Sequence, residues 1–526
     1  MDKEGIKALL KQNPELTNKL FCRGFLFTNA DVDLDDYPFY GIWNHTKLQN
    51  YQMLVSPKQN SYYVTNGNTS IFLVGHAYNP FTMVPDENTI LAELVEQYSE
   101  ENVSKASSLF WEKINELTGI FTIIIIDKES VLIIGDASGM QTAFYTVNRG
   151  KIYVSSHTNI IGDLLNLKWD PYIVQLRNYR FFKLLGNALP GNLTQFPKVK
   201  RLIPNHYVKI EDRTLTVNRF YWPHRLDKTN EELVDEVAGI LHSNMELIGM
   251  KWKKPAISMT GGCDSKTTVA CTNGLYDQFR YFSYISSEAE KVDAEAAEKI
   301  CEDLGLEHRT YIIPKEVDNS EETTEILNWN TGNIRYSHSN DVRKRILFAD
   351  TEDFDVEVKS WASEIGRAYY SKRFHGRTEF GKMTPRKCTT LYKFFFHNRR
   401  LVKQTDRVFE KYIRRYFEQS KMNPVEWQEQ FFWEFRVPSW NGLVITGEHR
   451  YSFDITIPYN NRRIFELLLS ASIEDRISDR VYTDIRKKMN PAVDQTGIAV
   501  TNLKHTERRE LLENLYYVMH GHSLFI

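Results

Sequence analysis

Six consecutive residues, Thr260-Gly-Gly-Cys-Asp-Ser265, have the types and the spacing to hold a polyphosphate. Residues 255–260 are mostly apolar, as a buried strand is, and a run from Ser265 through Val269 and Ala270 opens a helix. A strand, a glycine turn and a helix start, in that order, set unpaired backbone N–H groups beside the positive helix end. Gly261 and Gly262 let that backbone approach an anion where a side chain would block it. Asp264 would repel a bare phosphate; it belongs there if it holds a magnesium ion that the phosphates share. The chemistry implied is that of a nucleoside triphosphate with its metal, so ATP and Mg2+ are the expected cofactors.

The loop lacks the G-x-x-x-x-G-K-[ST] order of the Walker motif. Around it, residues 279–285 read as a second strand, 293–305 as a helix stopped by Gly305, and 308–313 as a third strand. That βαβαβ order predicts a doubly wound parallel sheet with ligand at the carboxyl ends of its strands. Ser258, Thr260, Gly261, Gly262, Asp264, Ser265 and Ile285 are then the candidate nucleotide contacts. The loop resembles the S-G-G-x-D-S pyrophosphate loop (PP-loop) of the ATP pyrophosphatases, whose sheet is HUP-like, with Thr260 in place of the first serine. The D-x-x-x-A helix from Asp293 and its Leu304-Gly-Leu-Glu-His308 ending resemble asparagine synthetase.

The resemblance extends to both sides. Residues 1–165 are rich in short β-prone runs (51–55, 61–65, 70–75, 119–127, 131–136, 142–147, 152–156), with helical segments at 87–99 and 105–117. The last four runs, with the Asp136-Ala-Ser-Gly139 turn and the Phe144-Tyr145 pair, are similar to the glutaminase domain of asparagine synthetase, an α+β Ntn-hydrolase-like sandwich. A glutaminase of that class uses an N-terminal cysteine whose own α-amine is the base. Position 2 here is Asp2, and the nearest cysteine, Cys22, would serve only after removal of the residues before it. The expectation is a retained scaffold without its own glutamine hydrolysis, as in the β-lactam synthetases. Residues 166–229 read as a connector, with a helix over 172–185, and a helix over 230–247 leads into the phosphate loop. Residues 230–526 form the synthetase-like domain, with a helical C-terminal part.

Within it, Asp353-Phe-Asp-Val-Glu-Val-Lys-Ser-Trp-Ala-Ser-Glu-Ile-Gly-Arg-Ala-Tyr-Tyr370 repeats the strand, turn and helix plan and sits where the family has S-G-E-G-S-D-E-L-F-G-G-Y. Glu364 keeps the shared glutamate, as a second metal ligand with Asp264 or as a base for the amine. Ser360 and Ser363 replace carboxylates of the motif, so the acceptor is not simply aspartate. Residues 479–491 occupy the place of a family helix whose lysine neutralises pyrophosphate; Arg480 is the positional match, with Lys487 and Lys488 further along. A cation is required because the leaving group gains charge in the transition state.

Between them, residues 367–415 hold 15 Lys/Arg against three acids, with Tyr369, Tyr370, Phe374, Tyr392 and Phe394–Phe396 interleaved. The segment (366–415) is a solvated helical face, with Lys393, Arg399, Arg400 and Lys403 outward, or a clamp for an anionic substrate such as a glycan or nucleotide sugar. No recognised RNA module accompanies it, which disfavours nucleic acid.

The whole chain sets wide bounds. It has 526 residues, a formal net charge of −2 and five scattered cysteines without a C-x-x-C pair. Those counts exclude a disulfide framework and a zinc ribbon and fit a reducing cytosol. No apolar run reaches the ~18 residues of a membrane span, and the N-terminus does not look like a signal peptide. The reading is an ATP-dependent ligase that adenylates a carboxylate and passes it to ammonia or an amine; a homodimer is compatible with it. The alternatives are an inactive nucleotide-binding scaffold and a PP-loop sulfur or tRNA-modifying enzyme.

Overall fold

The run Thr118–Asp127 shows no polar alternation because both of its faces are buried. Ile124 and Ile126 pack with Phe25, Phe27, Phe72 and Val154, whereas Ile123 and Ile125 pack with Leu91, Leu94, Phe110 and Trp111. In the computed structural model, which describes residues 2–179, 182, 188–349, 351–374, 376–392, 398–417, 425–495 and 511, this strand lies in one of two antiparallel sheets. Their strands are β1 (Phe25–Thr28), β2 (Asn44–Leu48), β3 (Tyr51–Val55), β4 (Ser61–Asn66), β5 (Thr69–Tyr78), β6 (Thr118–Asp127), β7 (Ser130–Gly135), β8 (Phe144–Asn148), β9 (Lys151–Ser155), β10 (Lys200–Arg201), β11 (His206–Glu211) and β12 (Thr214–Arg219). The sheet orders are β10-β8-β9-β1-β3-β2 and β12-β11-β7-β6-β5-β4. Gly75 and Gly119 permit the β5–β6 pairing: a Cβ on either would lie 2.1 or 2.2 Å from a carbonyl oxygen of the facing strand.

Helices cover both outer faces, Glu87–Gln97 and Leu109–Glu116 on one, Lys3–Gln12 and Thr158–Leu164 on the other. Residues 200–219, read from sequence as connector, belong to these sheets: β10 pairs with β8, and β11 with β7. The sequence-read helix over 172–185 is observed over Pro171–Asn178, and most of its remainder (180, 181 and 183–185) lies outside the described residues.

The second half is built on a parallel sheet of β13 (Pro255–Ser258), β14 (Arg280–Ile285), β15 (His308–Ile312), β16 (Val356–Val358) and β17 (Asp454–Thr456), in the order β15-β14-β13-β16-β17. The helices that matter for the site are α1 (Asn230–Lys251), α2 (Cys263–Ala270), α3 (Glu288–Leu304) and α4 (Arg480–Met489). A capping box of Thr229 and Glu232 starts α1, and Gly305, at φ +67°, ends α3. Chain direction across the sheet reverses between β13 and β16, and in an open parallel sheet the ligand crevice lies at that point.

The two halves interlock at Asp136. Its fully buried carboxylate accepts from the amides of Ser138, Met140 and Gln141 and from Asn460 Nδ2. Arg462, also buried, donates to Gly135 O, Asp136 O and Asn205 Oδ1.

A second buried carboxyl sets a pH dependence. Asp163 accepts from the Tyr37 hydroxyl at 2.6 Å, and burial pushes it up to about 6. The folded protein therefore holds this proton more tightly than the unfolded chain does, and stability falls as pH rises from about 4 to 6. Asp163→Asn should flatten that part of the profile and gain about 1–2 kcal/mol at pH 7 relative to wild type, read by urea unfolding at pH 4.5 and 7.

Candidate functional site

The loop after β13 opens directly onto the crevice. Met259 N still pairs with Phe282 O at 2.8 Å; then the chain turns, with Thr260 N donating to Ser265 Oγ and Gly262 N to Thr260 Oγ1, both at 3.1 Å. Gly262 caps α2 without a side-chain bond. The amides of Gly261, Cys263 and Asp264 donate to no acceptor among the described residues. Gly262 has φ −74°, so close approach rather than a left-handed backbone is what it permits: a Cβ would sit 3.2 Å from Thr260 Oγ1.

A cavity of about 240 Å³ lies against this turn, and Ser258, Thr260, Gly262, Asp264, Ser265 and Glu364 all line it. Ser283, Tyr284, Glu290, Lys359, Ser360 and Trp361 form the far wall. Gly261 and Ile285 do not line it; Ile285 pairs with Ile312 at the end of β14. Glu364 arrives from the loop after β16, where Ala362 is held at φ +66° and Ala368 at φ +47°. Ala368 stands at the second glycine of the resembled motif, so a left-handed position is kept without the residue that favours it.

Two carboxylates meet here with oxygens to spare. Asp264 Oδ1 and Glu364 Oε2 are buried and without a hydrogen-bond partner among the described residues. Burial and the neighbouring Asp264 charge push Glu364 up to about 7. Burial raises Asp264 too, against the pull of the Arg367 guanidinium, which donates to Asp264 Oδ2 at 2.6 Å. Ser360 Oγ and Thr268 Oγ1 share a 2.7 Å bond, and Ser363 Oγ donates to Ser360 O at 2.9 Å. Where the motif has carboxylates, Ser360 thus places a hydroxyl, not a charge, on the wall, and Ser363 does not line the cavity. A hard divalent cation suits the remaining donor set, which offers carboxylate and hydroxyl oxygens with room for phosphate and water.

The C-terminal cations are placed differently from the sequence expectation. Arg480, Lys487 and Lys488 lie on the outer face of α4, with side chains 60, 66 and 47% exposed. They pair with Asp475 and Asp484, with Asp484, and with Asp235. The reason is helical phase: 480, 487 and 488 recur at i, i+7 and i+8, while Val481, Tyr482 and Ile485 fill the core. Arg486, on the inner side, donates to Asp494 at 2.7 Å and to Cys263 Sγ at 3.2 Å. Nearer the cavity are Arg367 and Lys359, both missed as site residues from sequence. Lys359 is buried, its ammonium is 2.6 Å from Glu357 and 5.4 Å from the centre of the Trp361 ring, and burial lowers its pKa. Position alone signalled them, since Lys359 follows a strand end and Arg367 replaces a motif glycine.

Of the basic segment, Arg367 reaches Asp264 and Lys372 reaches Asp479, though neither lines the cavity. Arg399, Arg400 and Lys403 are exposed around the helix Arg399–Tyr416, whose Leu401, Phe409 and Tyr412 are buried. Lys393 and Phe394–Phe396 lie outside the described residues. Cys22 is 2% exposed between Phe21 (φ +48°) and Arg23 (φ +56°), behind a segment whose Ile6, Leu9, Leu16 and Leu20 are in the core. Among the described residues no helix is long and apolar enough to cross a membrane.

No protein-family model matches the chain, and no curated protein matches it in sequence. Among solved structures it is similar to a glutamine phosphoribosylpyrophosphate amidotransferase from B. subtilis complexed with ADP and GMP, at 10% identity and a TM-score of 0.21, over 69% of this chain and 74% of that one. It is also similar to a glutamine-dependent NAD+ synthetase from Acinetobacter baumannii in complex with ADP, at 10% identity and a TM-score of 0.20, over 45% and 41%. Scores this low define no common fold.

Proposed function

We propose that the chain is an ATP-dependent carbon–nitrogen ligase of the asparagine synthetase kind. A carboxylate oxygen attacks the α-phosphorus of ATP, the bond to the bridging oxygen breaks, and pyrophosphate leaves with the electron pair. Ammonia or an amine then attacks the acyl carbon, AMP departs, and the amide remains after proton loss. Residues 230–526 supply the PP-loop domain. Residues 1–165, extended by the β11–β12 hairpin, supply an Ntn-like scaffold that performs no glutamine hydrolysis, because Cys22 has no free α-amine while residues precede it.

One observation carries the reading: at the point where the strand order reverses, the cavity lies against the Thr260–Ser265 turn, whose amides at 261, 263 and 264 bond to no acceptor among the described residues, and is lined by two carboxylates that each keep a buried oxygen without a partner among those residues. The amides of Gly261, Cys263 and Asp264 cradle the β- and γ-phosphates. Asp264 and Glu364 hold Mg2+, which when bound shields the polyphosphate charge and orients it. Ser283, Tyr284 and Trp361 border the nucleotide and acceptor space, and Lys359 offers a cation to the acceptor's carboxylate. The serine hydroxyls at 360 and 363 favour an acceptor other than aspartate.

Pyrophosphate release, measured across a panel of carboxylates with ammonia or amines present, tests the function. Wild type should release it with at least one carboxylate, and Asp264→Ala should lose about 100-fold or more. Full activity in Asp264→Ala would remove the site assignment.

The serines at 360 and 363 also favour a second reading, an inactive nucleotide-binding scaffold. Calorimetric ATP binding without turnover across the same panel distinguishes it. Nothing at Cys263 favours sulfur transfer: its thiol is pushed up by burial and turned to Arg486, away from the cavity.

A further inference from the structure

Arg367 is tied on two sides. Its Nη1 donates to Asp264 Oδ2 at 2.6 Å, while Nε and Nη2 grip the two oxygens of Asp479 at 2.8 Å each. Lys372 Nζ adds a contact to Asp479 at 2.5 Å. A guanidinium has five N–H donors, and these three bonds leave one on Nη1 and one on Nη2. Asp264 is therefore divided between a guanidinium on Oδ2 and a buried Oδ1 without a partner among the described residues, and it lines the same cavity as Glu364, whose Oε2 is likewise unpartnered among them. Asp479 sits just before α4 in the left-handed conformation, φ +57°, and presents its carboxylate to the two cations. A planar fork that holds a carboxylate in this way also fits two oxygens of a phosphate.

We infer that Arg367 is a resident cation of the phosphate site: it stays on Asp264 and exchanges Asp479 for phosphate oxygens when a polyphosphate enters. This rests on the nucleotide reading above and adds to it the source of the charge that Arg480, Lys487 and Lys488 do not bring. The geometry has two consequences. Polyphosphate binding keeps a component that needs no divalent ion, because Arg367 and Lys372 supply positive charge from the chain itself. Asp479 is an internal competitor, an anion that the incoming phosphates must displace.

Calorimetric titration of ATP into the full chain, once in EDTA and once in Mg2+, tests this without reference to turnover. Wild type should bind in EDTA within about 30-fold of its Mg2+ affinity. Arg367→Ala should lose about tenfold or more in EDTA and less in Mg2+. Asp479→Asn keeps an acceptor for Arg367 and a residue that tolerates φ > 0, but removes the competing charge. It should bind ATP roughly threefold or more tightly in EDTA, a gain that a damaged fold does not produce. Wild-type affinity in Arg367→Ala, or weaker binding in Asp479→Asn, overturns the inference while leaving the nucleotide site in place. A wild-type chain that binds no ATP in either condition overturns both.

Discussion

Glu364→Gln should make the protein more stable in EDTA at pH 8 and nearly inactive in Mg2+. The carboxyl lines the cavity beside Asp264, with one buried oxygen unpaired among the described residues, and it is pushed up to about 7 by burial and by that neighbour. Without a metal ion, and with Arg367 bonded to Asp264 alone of the two, the adjacent carboxylates repel each other and lack solvation. The folded pKa lies above the unfolded one, so the cost develops as pH rises from about 4.5 to 7 and is complete at pH 8. Replacing the carboxylate with the neutral isostere should return about 1–3 kcal/mol at pH 8 and almost nothing at pH 5. On the proposed function the same change removes one of the two carboxylates that would hold Mg2+, and pyrophosphate release should fall by roughly 100-fold or more. Urea unfolding in EDTA at both pH values and the release assay read the two effects. An unchanged stability together with full activity would show that Glu364 is neither strained nor used.

Asp136→Ala should cost the most stability of any single change near the junction of the two halves, about 3–5 kcal/mol. The carboxylate accepts from four backbone amides, that of Phe121 at a long 3.4 Å, and from Asn460 at full burial, so its removal leaves several donors desolvated and unpaired, at about 1–3 kcal/mol each before relaxation. It also removes a negative charge that acts on buried Arg462. Asp136→Asn keeps one acceptor oxygen and should cost about half as much. The loss should appear in the first urea transition, as the chain has more than one core and need not unfold in one step. A cost below about 1 kcal/mol in Asp136→Ala would mean that the turn is held by its surroundings rather than by this side chain.

These effects show where the sequence speaks and where it is silent. The loop from Thr260 to Ser265 was legible because glycines and small polar residues have few reasons to follow a buried strand except a tight turn into a helix. The neighbouring strands and the Gly305 stop were legible from apolar runs and a left-handed cap. The hairpin of β11 and β12 was not, because its two-residue turn puts Asp212 at φ +47° and Arg213 at φ +64° without the Asn-Gly or Asp-Gly pair that announces such turns. Strands β1 and β2 were missed for a related reason: β1 is four residues long, and the pattern of β2, His45 and Lys47 among them, is that of an exposed edge. The cations were misplaced because charge alone does not tell which side of a helix faces in. The apolar phase of Val481, Tyr482 and Ile485 would have turned Arg480, Lys487 and Lys488 outward. Arg367 was hidden among 15 basic residues, and only its contact with Asp264 separates it from the solvated face of Arg399–Tyr416.

The most direct measurement is a crystal structure of the chain with Mg2+ and an ATP analogue that cannot be cleaved between its α and β phosphates. The account predicts the outer phosphates on the amides of Gly261, Cys263 and Asp264, with the ion between Asp264 Oδ1 and Glu364 Oε2. Phosphates bound elsewhere, or an ion held by neither carboxylate, would contradict it.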